Sequence, residues 1–199
     1  MIYTDGKYRA LKDENCFRFD ALGFERLYEV EIFFEENRNS KTRLSHSAFV
    51  KTLEAKGEDE WLVSVVLWNY LINNEKPDMV MEQLAEKCRR PLEKLVLKVN
   101  SQWEVTGLHN HEAILQSWAE VRQRLEEEYS GEIFEKYIQK HEEALLNRDV
   151  LLAKLKKDLF ITQFFNGMYN RAFHDFSLTS QENVRAMNID YTVDMVYKV

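Results

Sequence analysis

The chain has 199 residues, 45% of them hydrophobic and 31% charged, with 34 acidic side chains against 27 basic ones and a net charge of −7. That composition excludes a disordered chain and is long enough for one core that buries roughly 70% of the unfolded surface. An acidic balance also speaks against nucleic acid as a partner, because the densest basic stretches, residues 87–90 and 154–157, are broken by apolar or acidic neighbours like the wet faces of helices.

The first residues, MIYTDGKYRALKDE, contain neither a basic run nor an apolar block, and no window approaches about 18 uncharged apolar residues, so no membrane span is expected. Cys16 and Cys88 lack metal or redox spacing and suit a reducing compartment, which makes the cytoplasm the expected location. Pro77 and Pro91 are the only prolines, and no Gly/Ser-rich linker or internal repeat divides the sequence. Residues 1–199 are therefore expected to form a single α+β domain.

In chain order, residues 27–36 (LYEVEIFFEE) alternate apolar Tyr28, Val30, Ile32 and Phe34 with glutamates, the period of a strand with one wet face that Phe33 interrupts. Residues 45–55 fit a short helix or a strand. Residues 61–73 (WLVSVVLWNYLIN) are apolar on both faces and rich in Val and aromatics, which favours a central strand over a buried helix. Asp78 is placed to cap a helix with Val80, Met81, Leu84, Ala85 and Cys88 as its stripe, ended before Pro91.

Two alternating runs follow, in LEKLVLKVNSQWEVTGL. A three-residue loop, 100–102, would pair Val99 with Trp103 and Leu97 with Val105, with Asn100 or Ser101 taking the unusual backbone angle. From about residue 111 to 170 the pattern is helical. Ile114, Trp118, Val121 and Leu125 mark one helix face, and Phe134, Tyr137, Ile138, His141 and Leu145 a second, joined at Ser130 and Gly131. A third helix, with Leu151, Leu152, Leu155 and Leu159 as its stripe, is expected to run unbroken from about 148 to 170 and to be most buried at LFITQFF. The tail returns to period two, with Ile189, Tyr191, Val193, Met195 and Tyr197 on one face. The expected architecture is an α+β fold in which an antiparallel sheet, built by the N-terminal half and the C-terminal strands, packs on three to four helices.

Candidate chemistry is sparse. His109, His111 and Glu112 are weak candidates for a metal site, since zinc needs three or four ligands and no HExxH or second HxH supplies them. The structural alternative makes Asn110 the N-cap of the first long helix, its side chain accepting from an early helical N–H. His141 reads as a histidine at the edge of the core. The glutamate runs 35–36, 126–128 and 142–143 read as solvated faces, and Asp158, between leucines, calls for a basic or backbone partner. No GxSxG, Walker A or GxGxxG motif occurs, and six glycines leave little material for a phosphate cradle, so no cofactor is expected.

The aromatic surplus remains, and Phe164, Phe165, Met168, Tyr169 and Phe173 are the candidate ligand- or partner-binding residues. The leading expectation is a non-enzymatic protein-binding subunit or adaptor of a larger assembly. The alternative is a carrier or sensor of a small apolar ligand held between sheet and helices, and a metal-assisted hydrolase built on the two histidines comes third.

Overall fold

The polar–apolar alternation does produce strands, and the sheet they form sets everything else. The computed structural model describes the backbone of residues 2–4, 7–9, 21–37, 40–57, 59–165, 177–186 and 189–198, and the side chains of residues 21–33, 42–57 and 59–165. β1 (Ile2–Thr4) and β2 (Lys7–Arg9) pair antiparallel with each other. β3 (Glu25–Asn37), β4 (Ser40–Ala55), β5 (Glu60–Ile72), β6 (Lys94–Asn100) and β7 (Val105–Leu108) make a five-stranded antiparallel sheet in sequence order. Residues 45–55 are thus strand. So are residues 61–72, and β5 occupies the middle of the sheet with Leu62, Val63, Ser64 and Val65 all buried, as a run apolar on both faces requires.

Between β5 and β6 the chain forms α1 (Val80–Arg89), followed by a 3₁₀ turn (Arg90–Leu92) that seats Pro91 where no amide hydrogen is needed. Asp78 is not the cap of α1. The helix starts one residue later, Met79 takes the N-cap position without a side-chain bond, and the Asp78 carbonyl instead accepts from the Gln83 amide at 3.0 Å. Leu84 and Cys88 of the expected stripe are buried, whereas Val80 and Met81 are exposed.

The hairpin between β6 and β7 has the expected three-residue loop, moved one position along. Asn100 pairs with Glu104, its Oδ1 accepts from the N–H groups of Gln102 (3.0 Å) and Glu104 (2.8 Å), and the residue with positive φ is Trp103 (φ 66°). Val99 therefore pairs with Val105, and after a bulge Leu97 pairs with Leu108. A left-handed tryptophan costs about 1–2 kcal/mol. Trp103 offsets that by complete burial, with Phe24, Phe164 and Phe165 at ring-centroid distances of 6.1, 6.2 and 5.5 Å.

Four helices follow: α2 (His111–Glu128), α3 (Glu132–Leu146), α4 (Arg148–Leu155) and α5 (Leu159–Phe164). Gly131, at φ 110°, makes the joint between α2 and α3. Arg122 of α2 clamps Glu142 of α3, which also accepts from the Trp118 indole at 3.1 Å, so Glu142 is a cross-link and not part of a solvated face. The expected unbroken helix from residue 148 is two helices, because Asp158 turns the chain. Its carboxylate caps α5 by accepting from the Ile161 N–H at 3.1 Å, a polar role that a mid-helix position would not have given it.

The helices pack on the sheet face that carries Ala48, Val50, Val63, Val65, Leu95 and Leu97, and they bring Ile114, Trp118, Ile138, Leu145, Leu151 and Ile161 to it. The α+β class is as expected. The strand over the tail is present as β9 (Ile189–Lys198), but its partner is β8 (Ser177–Ala186) in a separate two-stranded sheet and not the main sheet. Among the described residues no helix is long and apolar enough to cross a membrane.

Candidate functional site

The junction of β7 and α2 is where the sequence places two histidines beside a glutamate. Asn110 stands at the N-cap position of α2 but makes no cap bond. Its Oδ1 accepts from the Val96 N–H at 2.8 Å and its Nδ2 donates to the Lys94 carbonyl at 2.9 Å, so it ties the start of the helix to β6. The reason is competition: the backbone of β6 leaves one donor and one acceptor that a primary amide matches together, and a cap would satisfy only one of its two polar ends. His111 Nε2 donates to the Leu145 carbonyl at 2.7 Å, linking α2 to the end of α3, while His109 and Glu112 are exposed. Among the described residues no three His, Cys, Asp or Glu side chains converge as metal ligands.

Of the candidate aromatic residues, Phe164 and Phe165 belong to the cluster around Trp103, with Phe164 also 5.3 Å from Tyr28 and 5.5 Å from Phe160. Met168, Tyr169 and Phe173 lie outside the described residues.

A different constellation forms where β5 meets the helices, and its geometry begins with a bulge. Ser47 pairs with Trp68 and Ser45 with Leu71, so Asn69 and Tyr70 together oppose His46, with Asn69 at φ 58°. In a plain strand Tyr70 would share the half-exposed face of Trp68. The extra residue turns Tyr70 to the face of Leu67, a re-aiming that bulges commonly provide. There the Tyr70 ring lies parallel to the His46 imidazole at 4.6 Å and has the Arg89 guanidinium over it, 3.1 Å from the ring centroid.

Around this stack lies a cavity of about 540 Å³ between sheet and helices. Its walls are aliphatic: Leu67, Leu92, Leu95, Leu145, Leu151, Leu155 and Ile161. Its charged residues are Arg89 from α1, Lys140 from α3, Lys154 from α4, and Lys157 and Asp158 from the turn before α5, with His141 of α3 beside them. Lys140 and Lys154 are exposed at the solvent side, whereas Arg89 reaches inward. Tyr70 and Arg89 also line a second, more polar cavity of about 680 Å³ with Lys76, Gln83 and Glu86.

The electrostatics are those of a cationic site in a low-dielectric wall. Burial, then the charge of Arg89, lowers His46 to about 4, so its imidazole is neutral at pH 7. Burial pushes the Tyr70 hydroxyl up, and Arg89 pulls it back. His141 is lowered by burial, against a hydrogen bond that its ring donates to the Cys88 carbonyl. Burial raises Asp158, opposed by the N–H groups of Ile161 and Phe160 and by Arg89. Arg89 itself is pulled down by burial and restored by Tyr70, Glu93, Glu86 and Asp158, none of them a bonded carboxylate. Its Nη1, His46 Nε2 and His141 Nε2 are buried with no hydrogen-bond partner among the described residues.

Sequence reasoning met His141 as a core-edge residue, read Arg89 within residues 87–90 as part of a wet helix face, which its buried guanidinium over Tyr70 corrects, and gave no role to Tyr70, His46 or Lys140. One signal was present: Asn69 interrupts the Val- and aromatic-rich run, and asparagine is a residue that tolerates the left-handed backbone of a bulge. No family model, characterised protein or solved structure matches the chain.

Proposed function

We propose that the protein binds a small amphipathic anion, with the apolar body of the ligand between sheet and helices and its charged head among Arg89, Lys140 and Lys154. The observation that carries this is charge placement: a chain of net charge −7 gathers four cations against one carboxyl around a leucine-lined cavity. The volume, about 540 Å³, is that of a small-molecule site. Arg89 supports the reading further, because a buried guanidinium with no carboxylate bonded to it among the described residues is a charge that a ligand can neutralise. This is the carrier or sensor role with a polar head added to the apolar ligand. We place it in a reducing compartment such as the cytoplasm, in keeping with the thiol of Cys88, buried and pushed up to about 11.

Isothermal calorimetry of the full chain with decanoate, decyl phosphate, anilinonaphthalene sulfonate and neutral decanol tests it. At least one anion is expected to bind with one-to-one stoichiometry and more tightly than decanol. Binding by none of the anions would sink the reading. The protein-binding adaptor is the second reading, favoured by the exposed run Met79, Val80 and Met81 at the start of α1. Native mass spectrometry of protein purified from its own cells separates the two, by a co-purifying molecule of small mass or a second chain.

A further inference from the structure

The walls of the cavity narrow the class of ligand. Building on the anion-binding reading above, we infer that the ligand is an aliphatic monocarboxylate, its carboxylate on the Arg89 guanidinium and its hydrocarbon chain along Leu92, Leu95, Leu145, Leu151, Leu155 and Ile161. Three observations weigh against the rival anions. Planar aromatic ligands and nucleobases bind by stacking, and Tyr70, the one Phe, Tyr or Trp in the lining among the described residues, already has the His46 ring parallel to it at 4.6 Å and Arg89 over it at 3.1 Å. Phosphate sites commonly add backbone N–H groups of glycine-rich loops or open helix N-termini to their cationic side chains, and no glycine lines this cavity. The helix ends near it are also closed, α4 by Asn147, which accepts from Asp149 and Val150 N–H, and α5 by the Asp158 carboxylate, which would repel a doubly charged head.

A singly charged, planar carboxylate suits what is left. It presents two acceptor oxygens in the geometry of a guanidinium fork, it neutralises one buried cation, and its tail needs only leucine surface. The exposed Lys140 and Lys154 then attract the anion to the mouth without having to follow it inside.

The experiment is calorimetry on the full chain at neutral pH, with the straight-chain series from hexanoate to tetradecanoate below their micellar concentrations. Affinity is expected to rise about fourfold per added methylene until the cavity is filled, then to level off. Arg89→Met is expected to weaken decanoate at least tenfold and to leave decanol unchanged, and Arg89→Lys, which keeps the charge and loses the fork, to fall between. If Arg89→Met does not fold, the Arg89→Lys comparison and the chain-length series still decide the matter. Tighter binding of decyl phosphate, adenosine monophosphate or the aromatic sulfonate than of decanoate would overturn this inference and leave the broader anion reading standing. Equal binding of decanoate and decanol would also overturn it, since the head would then go unread. No binding of any anion removes both.

Discussion

At the β7–α2 junction the polar side chains are tied off: Asn110 satisfies the backbone of β6 with both ends of its amide, and His111 donates to Leu145. Around the Tyr70 stack and the cavity beside it the opposite holds, and Arg89 Nη1, His46 Nε2 and His141 Nε2 are buried with no hydrogen-bond partner among the described residues. Buried polar atoms normally find partners, because each one left bare costs about 1–3 kcal/mol. The first region accordingly reads as architecture. The second carries a free-energy cost that a bound anion at Arg89 would partly recover. Histidine content is similar in both regions, so hydrogen-bond satisfaction is what tells them apart.

The comparison is most directly broken at Asn110. If its amide is a structural tie, Asn110→Ala strands the Val96 N–H and the Lys94 carbonyl together and should cost about 2–3 kcal/mol in urea unfolding. Asn110→Asp keeps the acceptor for Val96 and should lose roughly half of that. A helix cap alone would cost about 1 kcal/mol. A loss that small would mean the two bonds to β6 contribute little, and the junction would no longer serve as the satisfied half of the contrast.

His46 offers the next largest effect, and it runs through pH. Its folded pKa of about 4 lies below the 6.5 of the unfolded chain, so between those values the unfolded state takes up a proton that the folded state refuses. Stability attributable to His46 is therefore complete above about pH 6.5 and is lost as the pH falls towards about 4, by an amount on the order of 2 kcal/mol. Asp158, whose pKa is raised, acts in the other direction: its contribution is present at low pH and lost as the pH rises through its folded value. His46→Phe keeps a ring against Tyr70 and removes the titration. Urea midpoints of parent and variant at about pH 7 and about pH 4.5 isolate it, and an equal acid sensitivity in both proteins would assign the loss to other groups.

Much of this molecule could be read from periodicity, and the failures share one physical cause. Strand and helix faces are properties of spacing, so β3, α2 and α3 emerged with their inward faces correctly chosen: half-buried Tyr28, Val30 and Ile32 on one side of β3, and buried Ile114, Trp118 and Leu125 on α2. What spacing does not encode is a one-residue slip. The loop at residues 101–103, the bulge at Asn69 and the break before Asp158 each shift the register by a local hydrogen bond or backbone angle that depends on the partner strand or helix. The cavity depends on two of those slips at once, since the bulge delivers Tyr70 and the break brings Lys157 and Asp158 into the same lining as Arg89. The pair His109 and His111, by contrast, is conspicuous in one dimension and parts company in three: His111 serves the backbone of α3, and His109 faces solvent. Proximity in sequence drew attention to a junction that Asn110 and His111 tie together.

The smallest expected change sharpens the contrast most, because its sign is the unusual one. Arg89 lies in an apolar wall, its guanidinium held by the face of Tyr70 and by distant carboxylates, with Nη1 unpaired among the described residues. Removing one partner of a bonded buried ion pair is strongly destabilising, but a buried cation lacking a bonded partner has little to lose, and an apolar side chain of similar length recovers its desolvation cost. In ligand-free protein Arg89→Met should therefore change stability by no more than about 1 kcal/mol, and in the direction of a more stable fold. Thermal and urea unfolding of parent and variant measure this. A loss of about 3 kcal/mol or more would make Arg89 a strut, as tied into the fold as Asn110, and the charge around the cavity would then belong to architecture and not to a ligand.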